Sequence, residues 1–197
     1  MSIILDGRGR GYRAAVTPNQ RLRAEAVVID PEDDAIREGE GWQIGSTPVT
    51  FTASTETGVL YIKNNGAADL VLDRAVLVLG TVTGGTGDWS FQAVRNPDDG
   101  VTNDLQTNAV VAGISNSNHG SAKTPDAEYF KGVQGDTFAG GTGPALPIKQ
   151  SESRVVFPLG RRLPLGSSIG FKLTPPAGTT AATAVLVTHV YYDQTDA

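Results

Sequence analysis

One segment of this 197-residue chain has the spacing of a serine hydrolase nucleophile. Residues 166–170 (Gly-Ser-Ser-Ile-Gly) match Gly-x-Ser-x-Gly, in which the central serine, here Ser168, would attack a carbonyl carbon. That chemistry needs a strand before the serine, a helix after it, and a histidine base oriented by an acid. Here a strand-like sequence, residues 171–174, follows, and the two histidines, His119 and His189, fall in a predicted loop and a predicted strand. We therefore expect a hairpin turn, no catalytic residue and no enzyme.

Four other segments match only part of a ligand-binding pattern. The glycine-rich residues 7–11 and 84–87 lack the Gly-Lys-Ser/Thr ending of a phosphate-binding loop. The acidic residues 30–34 and 98–100 lack the spacing of a calcium loop. The chain has no cysteine, which removes disulfides and thiolate metal ligands. We expect no cofactor and no metal site.

Aromatic residues offer a different kind of chemistry, since their rings stack on sugars. Trp42, Trp89, Tyr61, Tyr191 and Tyr192 would be the candidates in a carbohydrate-binding sandwich. They fall in or beside predicted strands, where aromatic side chains more often form the core. Glycan binding is therefore the alternative and not the first interpretation.

Composition narrows the class of protein further. The chain has 24 glycines, 11 prolines and a net charge of -5, with few segments of helical periodicity. This charge gives no general attraction to nucleic acid. No apolar run reaches the roughly 18 residues of a membrane span, and the N-terminus lacks the pattern of a secretory signal. We expect an all-β protein made in the cytoplasm, with neither nucleic acid nor membrane as a partner.

The first 41 residues differ from the remainder in charge. Basic residues come first and acidic residues follow, between positions 25 and 40. Glycines alternate with the first arginines, which predicts a flexible, extended arm. Asp30 precedes Pro31, and this pair predicts a short helix through Glu38, because proline suits the first helical position. We place an extended N-terminal arm and linker at 1–41 and a folded domain at 42–197.

From Trp42 onwards the sequence predicts eight or nine strands at hairpin spacing. The strongest series is residues 153–192, with three strands joined by turns at 164–167 and 175–178. Residues 75–79 are apolar at every position, which predicts a strand covered on both sides. No helix is long enough for a parallel crossover. The prediction is an antiparallel β-sandwich, jelly-roll-like, with an extended N-terminal arm.

The last strand shows a period of two that places it in the sheet. Val185, Val187, His189 and Tyr191 share one face, and residues 186, 188, 190 and 192 share the other. Both faces are largely apolar, which predicts a strand inside a sheet and not at its edge.

The segment 115–142 carries little strand pattern and many asparagines and glycines. Long irregular segments in compact domains are usually functional. We therefore predict an oligomer or partner loop. Its candidate residues are Asn116, Asn118, His119, Tyr129 and Phe130.

Four blocks of sequence together resemble one family of proteins. The first is Asp-Gly-Arg-Gly-Arg-Gly-Tyr-Arg-Ala-Ala-Val from residue 6 with Asn-Gln-Arg-Leu from residue 19, and the second is Val-Leu-Tyr-Ile-Lys-Asn-Asn from residue 59. The third is Asn-Ser-Asn-His-Gly-Ser from residue 116 with its continuation through residue 137, and the fourth is Arg-Val-Val-Phe-Pro-Leu from residue 154 with the segment 163–175. In these blocks the chain resembles structural proteins of tailed-bacteriophage virions, and the likeness spans nearly the whole chain in order.

The resemblance implies a virion component without catalytic residues. Its most direct form is a capsid decoration (cement) protein, located on the capsid surface, that binds the major capsid protein and itself as a homotrimer. The arm residues predicted to contact the capsid or a neighbouring subunit are Arg8, Arg10, Tyr12, Arg13, Arg21 and Arg23. The alternative is a head-fibre, tail or baseplate module that binds host glycan through the loop at 115–142.

Overall fold

The structure, a computed structural model, describes residues 30–96, 112–137, 140 and 143–193, together with the backbone of three short strands in the arm. Four of the predicted arm contacts, Arg8, Arg10, Tyr12 and Arg21, lie outside the described residues. Arg13 and Arg23 fall in strands of which the backbone is described.

The described chain contains one helix and fourteen strands, and α1 spans Pro31–Arg37. The strands are β1 (Ile3–Leu5), β2 (Arg13–Val16), β3 (Leu22–Glu25), β4 (Gly41–Gly45), β5 (Val49–Phe51), β6 (Thr57–Asn64), β7 (Leu70–Leu79), β8 (Trp89–Arg95), β9 (Gly113–Asn116), β10 (Ala127–Lys131), β11 (Ala145–Ile148), β12 (Arg154–Leu163), β13 (Ser168–Thr174) and β14 (Ala182–Tyr192).

Two antiparallel sheets form the body of the protein, which confirms the predicted sandwich. The first sheet has the order β12-β7-β14-β4-β9, and β5 extends β4 by pairing with the other half of β14. The second sheet has the order β10-β6-β13-β8-β11. β14 lies between β7 and β4, so the prediction of an interior last strand is confirmed.

Successive long strands alternate between the sheets. We count β4 and β5 as one strand, leave out β9 and β10, and number the remaining strands of these two sheets 1 to 8 in chain order. The first sheet then has the order 1-8-3-6 and the second the order 2-7-4-5. This is a jelly roll. The predicted hairpins within residues 153–192 are therefore wrong, because β12 pairs with β7 while β13 pairs with β6 and β8. The turns are real, but each carries the chain from one sheet to the other.

The core lies between the sheets and is organised by aromatic pairs. Phe91 of the second sheet stacks on Phe157 of the first, with ring centroids 4.4 Å apart. Phe51 meets Trp89 edge to face at 5.7 Å. Such pairs add about 0.5–1.5 kcal/mol to the stabilisation that burial of their apolar area provides. The two sheets are thus fixed against each other by side chains from strands distant in sequence.

The predicted short helix is confirmed. Asp30 caps α1 by accepting a hydrogen bond from the backbone N–H of Glu32 at 2.9 Å, and Pro31 occupies the first helical turn. The helix packs against β4 and β14, where Ala35 is fully buried. A Cβ on Gly41 would lie 2.7 Å from Cγ1 of Ile36, so a larger residue there would force the Ile36 side chain to shift.

No pattern predicts β11, because Pro147 lies inside it. Proline cannot donate to a β-ladder, and sheets accept it at their edges. β11 is such an edge, since it pairs with β8 alone in the second sheet.

Candidate interaction surfaces

The predicted contact loop is held tightly against the body at its start. The side-chain amide of Asn116 donates to the carbonyl oxygens of Gly39 at 2.8 Å and Lys123 at 3.0 Å. The amide of Asn118 donates to the carbonyl oxygen of Arg37 at 3.1 Å. These bonds fix the loop to the C-terminal end of α1. Asn116 and Asn118 thus have structural partners within the chain.

The other predicted loop residues lie on different elements. His119 is exposed in the turn after β9, the edge strand of the first sheet. Tyr129 and Phe130 belong to β10, the edge strand of the second sheet, and Phe130 packs on Tyr61 with ring centroids 6.3 Å apart. The five predicted residues therefore divide between the edges of two sheets. Their role in binding a partner stays a prediction.

The arm contains a small antiparallel sheet in the order β1-β2-β3. Its register pairs Ile4 with Ala14, Ala14 with Ala24, and Val16 with Leu22.

The outer face of the first sheet carries an uncovered apolar area, which we call the valine surface. It comprises Val76, Val78, Val156, Val185 and Val187. The register places them side by side, because Val76 pairs with Val156 on one side and Val187 on the other, and Val78 pairs with Val185. Val78 is 43% exposed and Val156 is 44% exposed.

The valine surface corrects the prediction that residues 75–79 form a strand covered on both sides. The inner residues Ala75, Leu77 and Leu79 are buried in the core, whereas Val78 on the outer face is open. Contiguous exposed apolar area on a soluble protein indicates an interaction site or an aggregation hazard. The continuous apolar run in the sequence thus combines a buried inner face with a partly exposed outer face.

A polar cluster under α1 bounds the valine surface on one side. Arg74, two residues along β7 from Val76, contacts Glu32 of α1 at 3.3 Å and the ring nitrogen Nδ1 of His189 at 3.2 Å. Burial, and then the positive charge of Arg74, lower the pKa of His189. Burial raises the pKa of Glu32, partly opposed by Arg74. The helix therefore covers one end of the outer face through a polar contact and leaves the valines open.

The hydrolase-like motif forms no nucleophile elbow. Ser168 opens strand β13, and its backbone N–H donates to Oδ1 of Asn96 at 3.2 Å. A strand follows the serine where the elbow needs a helix. Within the described ranges, no group of three or more histidine, cysteine, aspartate or glutamate residues is placed to hold a metal ion. Of the described helical segments, none is long and apolar enough to cross a membrane.

The aromatic residues considered for sugar stacking belong mainly to the core. Trp42, Trp89 and Tyr61 are at most 2% exposed, and Tyr192 is 9% exposed. Tyr191 is half-buried on the outer face of β14. Four of the five rings are therefore unavailable as a stacking platform.

Comparison with known proteins gives structural neighbours only. No family model matches the chain, and no curated protein matches it. A chain of the structure of infectious bursal disease virus, Gx strain, is 11% identical over 95% of this chain and 43% of its own length, with a TM-score of 0.32. A chain of tomato aspermy virus is 7% identical over 89% of this chain and 86% of its own, with a TM-score of 0.26.

A third neighbour, from the infectious bursal disease virus VP2 subviral particle, is 11% identical over 90% of this chain and 45% of its own, with a TM-score of 0.22. The chain thus spans less than half the length of the first of these neighbours. All three come from virus structures, and the similarity is weak in each case.

Proposed function

We propose that this protein is a structural component of a tailed-bacteriophage virion: a capsid decoration (cement) protein that binds the outside of the capsid as a homotrimer and stabilises it. The four sequence blocks support the phage assignment, and the jelly-roll fold is compatible with it. The observation that carries the proposal is the valine surface, an apolar area on a folded body that a basic segment precedes in the sequence. In this role the protein is made in the host cytoplasm, acts without catalysis and resides on the capsid surface.

The valine surface is the part of the molecule suited to a second copy of the chain. Its five side chains are uncharged and lie side by side on a regular sheet. Two charged residues flank them, Arg154, which pairs with Val78, and Arg74, two residues from Val76 along β7. Each partner in a stable complex typically buries about 800 Å². Five valines supply the apolar centre of such an interface, and the neighbouring edge strand β12 supplies its rim.

The arm is the part suited to the capsid. Its six candidate residues include five arginines, which attract an acidic surface and form bidentate bonds with carboxylates. A chain that joins copies to each other and to capsid subunits adds buried interface that must be broken before the shell opens. By mass action, binding to the assembled state alone stabilises that state.

The first test is self-association. Val78→Asp and Val156→Asp each place a charge on the valine surface, and Val133→Asp is the matched control, since Val133 is 48% exposed outside that surface. Sedimentation velocity of the unmodified chain and of Val133→Asp should show a trimer, and the other two variants should be folded monomers. A monomeric unmodified chain, or trimers of unchanged stability in all variants, would contradict the assignment of the valine surface.

The second test is capsid binding. Capsids assembled without the protein are mixed with the full chain, with a chain lacking residues 1–24, and with a chain in which Arg8, Arg10 and Arg21 are glutamate. Co-sedimentation should be lost with both variants, and that of the full chain should weaken as salt rises. Undiminished binding by both variants would remove the arm from the proposal. Saturable binding to a defined saccharide on a glycan array, without capsid binding, would favour the recognition module instead.

A further inference from the structure

A cleft at one end of the sandwich carries three arginines. It has a volume of about 330 Å³ and is lined by Arg95, Arg161 and Arg162, with Leu163 and Ile169 as its apolar part. A second cleft of about 380 Å³ shares Arg95 and Arg161 with it. We call the two together the arginine cleft. It is separate from the valine surface, which occupies the outer face of the first sheet.

The two shared arginines come from opposite sheets. In β8, Trp89 and Phe91 belong to the core, and Arg95 continues their alternation at the end of the strand. In β12, Phe157 packs against the core and Arg161 continues that alternation. Both strands therefore place an arginine at a core-facing position where the sandwich opens.

A bulge in β12 shapes this end of the strand. The pairing with β7 shifts between Pro158 and Arg161, and Gly160 in between has a φ of +52°. A glycine in this conformation is typical of a bulge that re-aims the residues after it. Arg161, which follows the bulge, is partly exposed, whereas Arg154 at the other end of the same strand is exposed.

The charge of the cleft is not balanced within the described part of the chain. Arg162 is paired, since it contacts the carboxylates of Asp193 and Asp69. Among the described residues, no ion pair involves Arg95 or Arg161. Arg95 is exposed and Arg161 is partly exposed, so both guanidinium groups are accessible to an anion that enters the cleft.

The backbone beside Arg95 is held in an unfavourable conformation. Asn96 has a φ of +44°, which is uncommon for a residue other than glycine. Reciprocal bonds keep it there, because the Asn96 N–H donates to the carbonyl oxygen of Ser168 at 2.9 Å and the Ser168 N–H donates to Oδ1 of Asn96 at 3.2 Å. Such strain clusters at ligand clamps. The residue next to Arg95 is thereby fixed at the wall of the cleft.

We propose that the arginine cleft binds an oxyanion, a carboxylate or phosphate group, between Arg95 and Arg161. A guanidinium group presents a planar fork of donors that fits both chemistries. The apolar side chains of Leu163 and Ile169 suit a short carbon chain attached to the anion. The volume of about 330 Å³ admits a small molecule or one acidic side chain.

A different role for Arg161 is purely structural, since an inward-pointing charge on an edge strand prevents pairing with other chains. Anion binding separates the two roles. The purified full chain is titrated with inorganic phosphate and, separately, with glutarate at constant ionic strength, with chloride as the reference anion. Calorimetry and the rise in melting temperature report binding.

The expected result is saturable binding of phosphate, glutarate or both by the unmodified chain. Arg95→Lys and Arg161→Lys keep the positive charge but lose the planar, bidentate donors of the guanidinium group. Each should therefore weaken anion binding about tenfold. Arg154→Gln, on the same strand outside the cleft, should bind as the unmodified chain does. Binding of phosphate alone or of glutarate alone supports the proposal and identifies the source of the anion.

Two outcomes would overturn the proposal. One is that neither anion binds more tightly than chloride. The other is that both lysine variants, shown by circular dichroism to be folded, bind the anions as tightly as the unmodified chain. Neither outcome affects the capsid proposal, because this titration needs no capsid and no self-association.

Discussion

Replacing Asn64 is expected to be among the most damaging polar substitutions in this fold. Asn64 is fully buried at the end of β6. Its amide nitrogen donates to the carbonyl oxygens of Ala68 at 2.9 Å and Leu163 at 2.8 Å. Its Oδ1 accepts from the N–H of Gly66 at 2.9 Å and from the hydroxyl of Tyr192 at 3.4 Å. One side chain thus joins both sheets and the turn between β6 and β7.

The magnitude follows from the groups left without partners. Asn64→Ala leaves two carbonyl oxygens and one N–H without hydrogen-bond partners, and each buried unsatisfied group costs about 1–3 kcal/mol. Since the turn relaxes in part, we expect a loss of roughly 3–5 kcal/mol in the free energy of unfolding. Asn64→Asp should cost at least as much at pH 7, because a carboxylate would face two carbonyl oxygens, and less at pH 4.

Urea unfolding followed by circular dichroism measures the effect. Asn65→Ala is the matched control, because Asn65 is exposed and its side-chain amide donates to Oε1 of the half-buried Glu128 at 3.2 Å. That control should change the free energy of unfolding by less than about 0.5 kcal/mol. Equal effects of Asn64→Ala and Asn65→Ala would refute the reasoning.

Three further predictions concern titration and backbone strain. Burial raises the pKa of Tyr192 to about 12 and also raises the pKa of Tyr191, so the folded state keeps protons that the unfolded state loses above pH 10. Stability should therefore fall between pH 10 and 12, and Tyr192→Phe should make that fall smaller in pH-dependent denaturation. The lowered pKa of His189 acts in the opposite direction, so stability should fall as pH drops below about 6.5, and His189→Gln should flatten this acid limb. Gly160→Ala should cost about 1–2 kcal/mol in urea unfolding because of its positive φ alone, whereas Gly160→Asn should cost less; equal costs would contradict a conformational origin.

The local elements of the fold are largely predictable from sequence, because their signals are local. Asp30 and Pro31 predict α1 to within a residue of its end. The alternation along residues 185–192 predicts the interior position of β14. The pairing of strands is not predictable in this way, since the turns at 164–167 and 175–178 have the same residues whether they close a hairpin or cross between sheets.

The interaction surfaces, like the strand pairing, depend on tertiary contacts that the local sequence does not show. Sequence reasoning predicts Asn116 and Asn118 as contact residues because long irregular segments are usually functional, and in the structure their amides hold the loop against the end of α1. Sequence reasoning does not predict the valine surface, because a continuous apolar run predicts a strand that is buried on both faces. Whether a strand face is covered depends on what packs above it, and the sequence of the strand does not contain that information.

The position of α1 leads to a last prediction, on truncation. The helix carries its own cap at Asp30, buries Ala35 and bonds Arg74 through Glu32, so it belongs to the body of the protein. Deleting residues 1–29 should therefore leave the melting temperature within about 3 °C of the full chain. Deleting residues 1–38 should lower it by about 10 °C or more, because it removes that packing and leaves the amide of Asn118 without the carbonyl of Arg37.

The same two truncations separate the arm from the helix in function. The shorter deletion should abolish capsid binding while the trimer persists, since the valine surface is intact. The longer deletion enlarges the exposed outer face of the first sheet around His189, and it should aggregate on heating where the shorter one does not. If deleting residues 1–29 destabilised the body as much as deleting 1–38, the arm would itself stabilise the body, and the separation of arm and helix would be wrong.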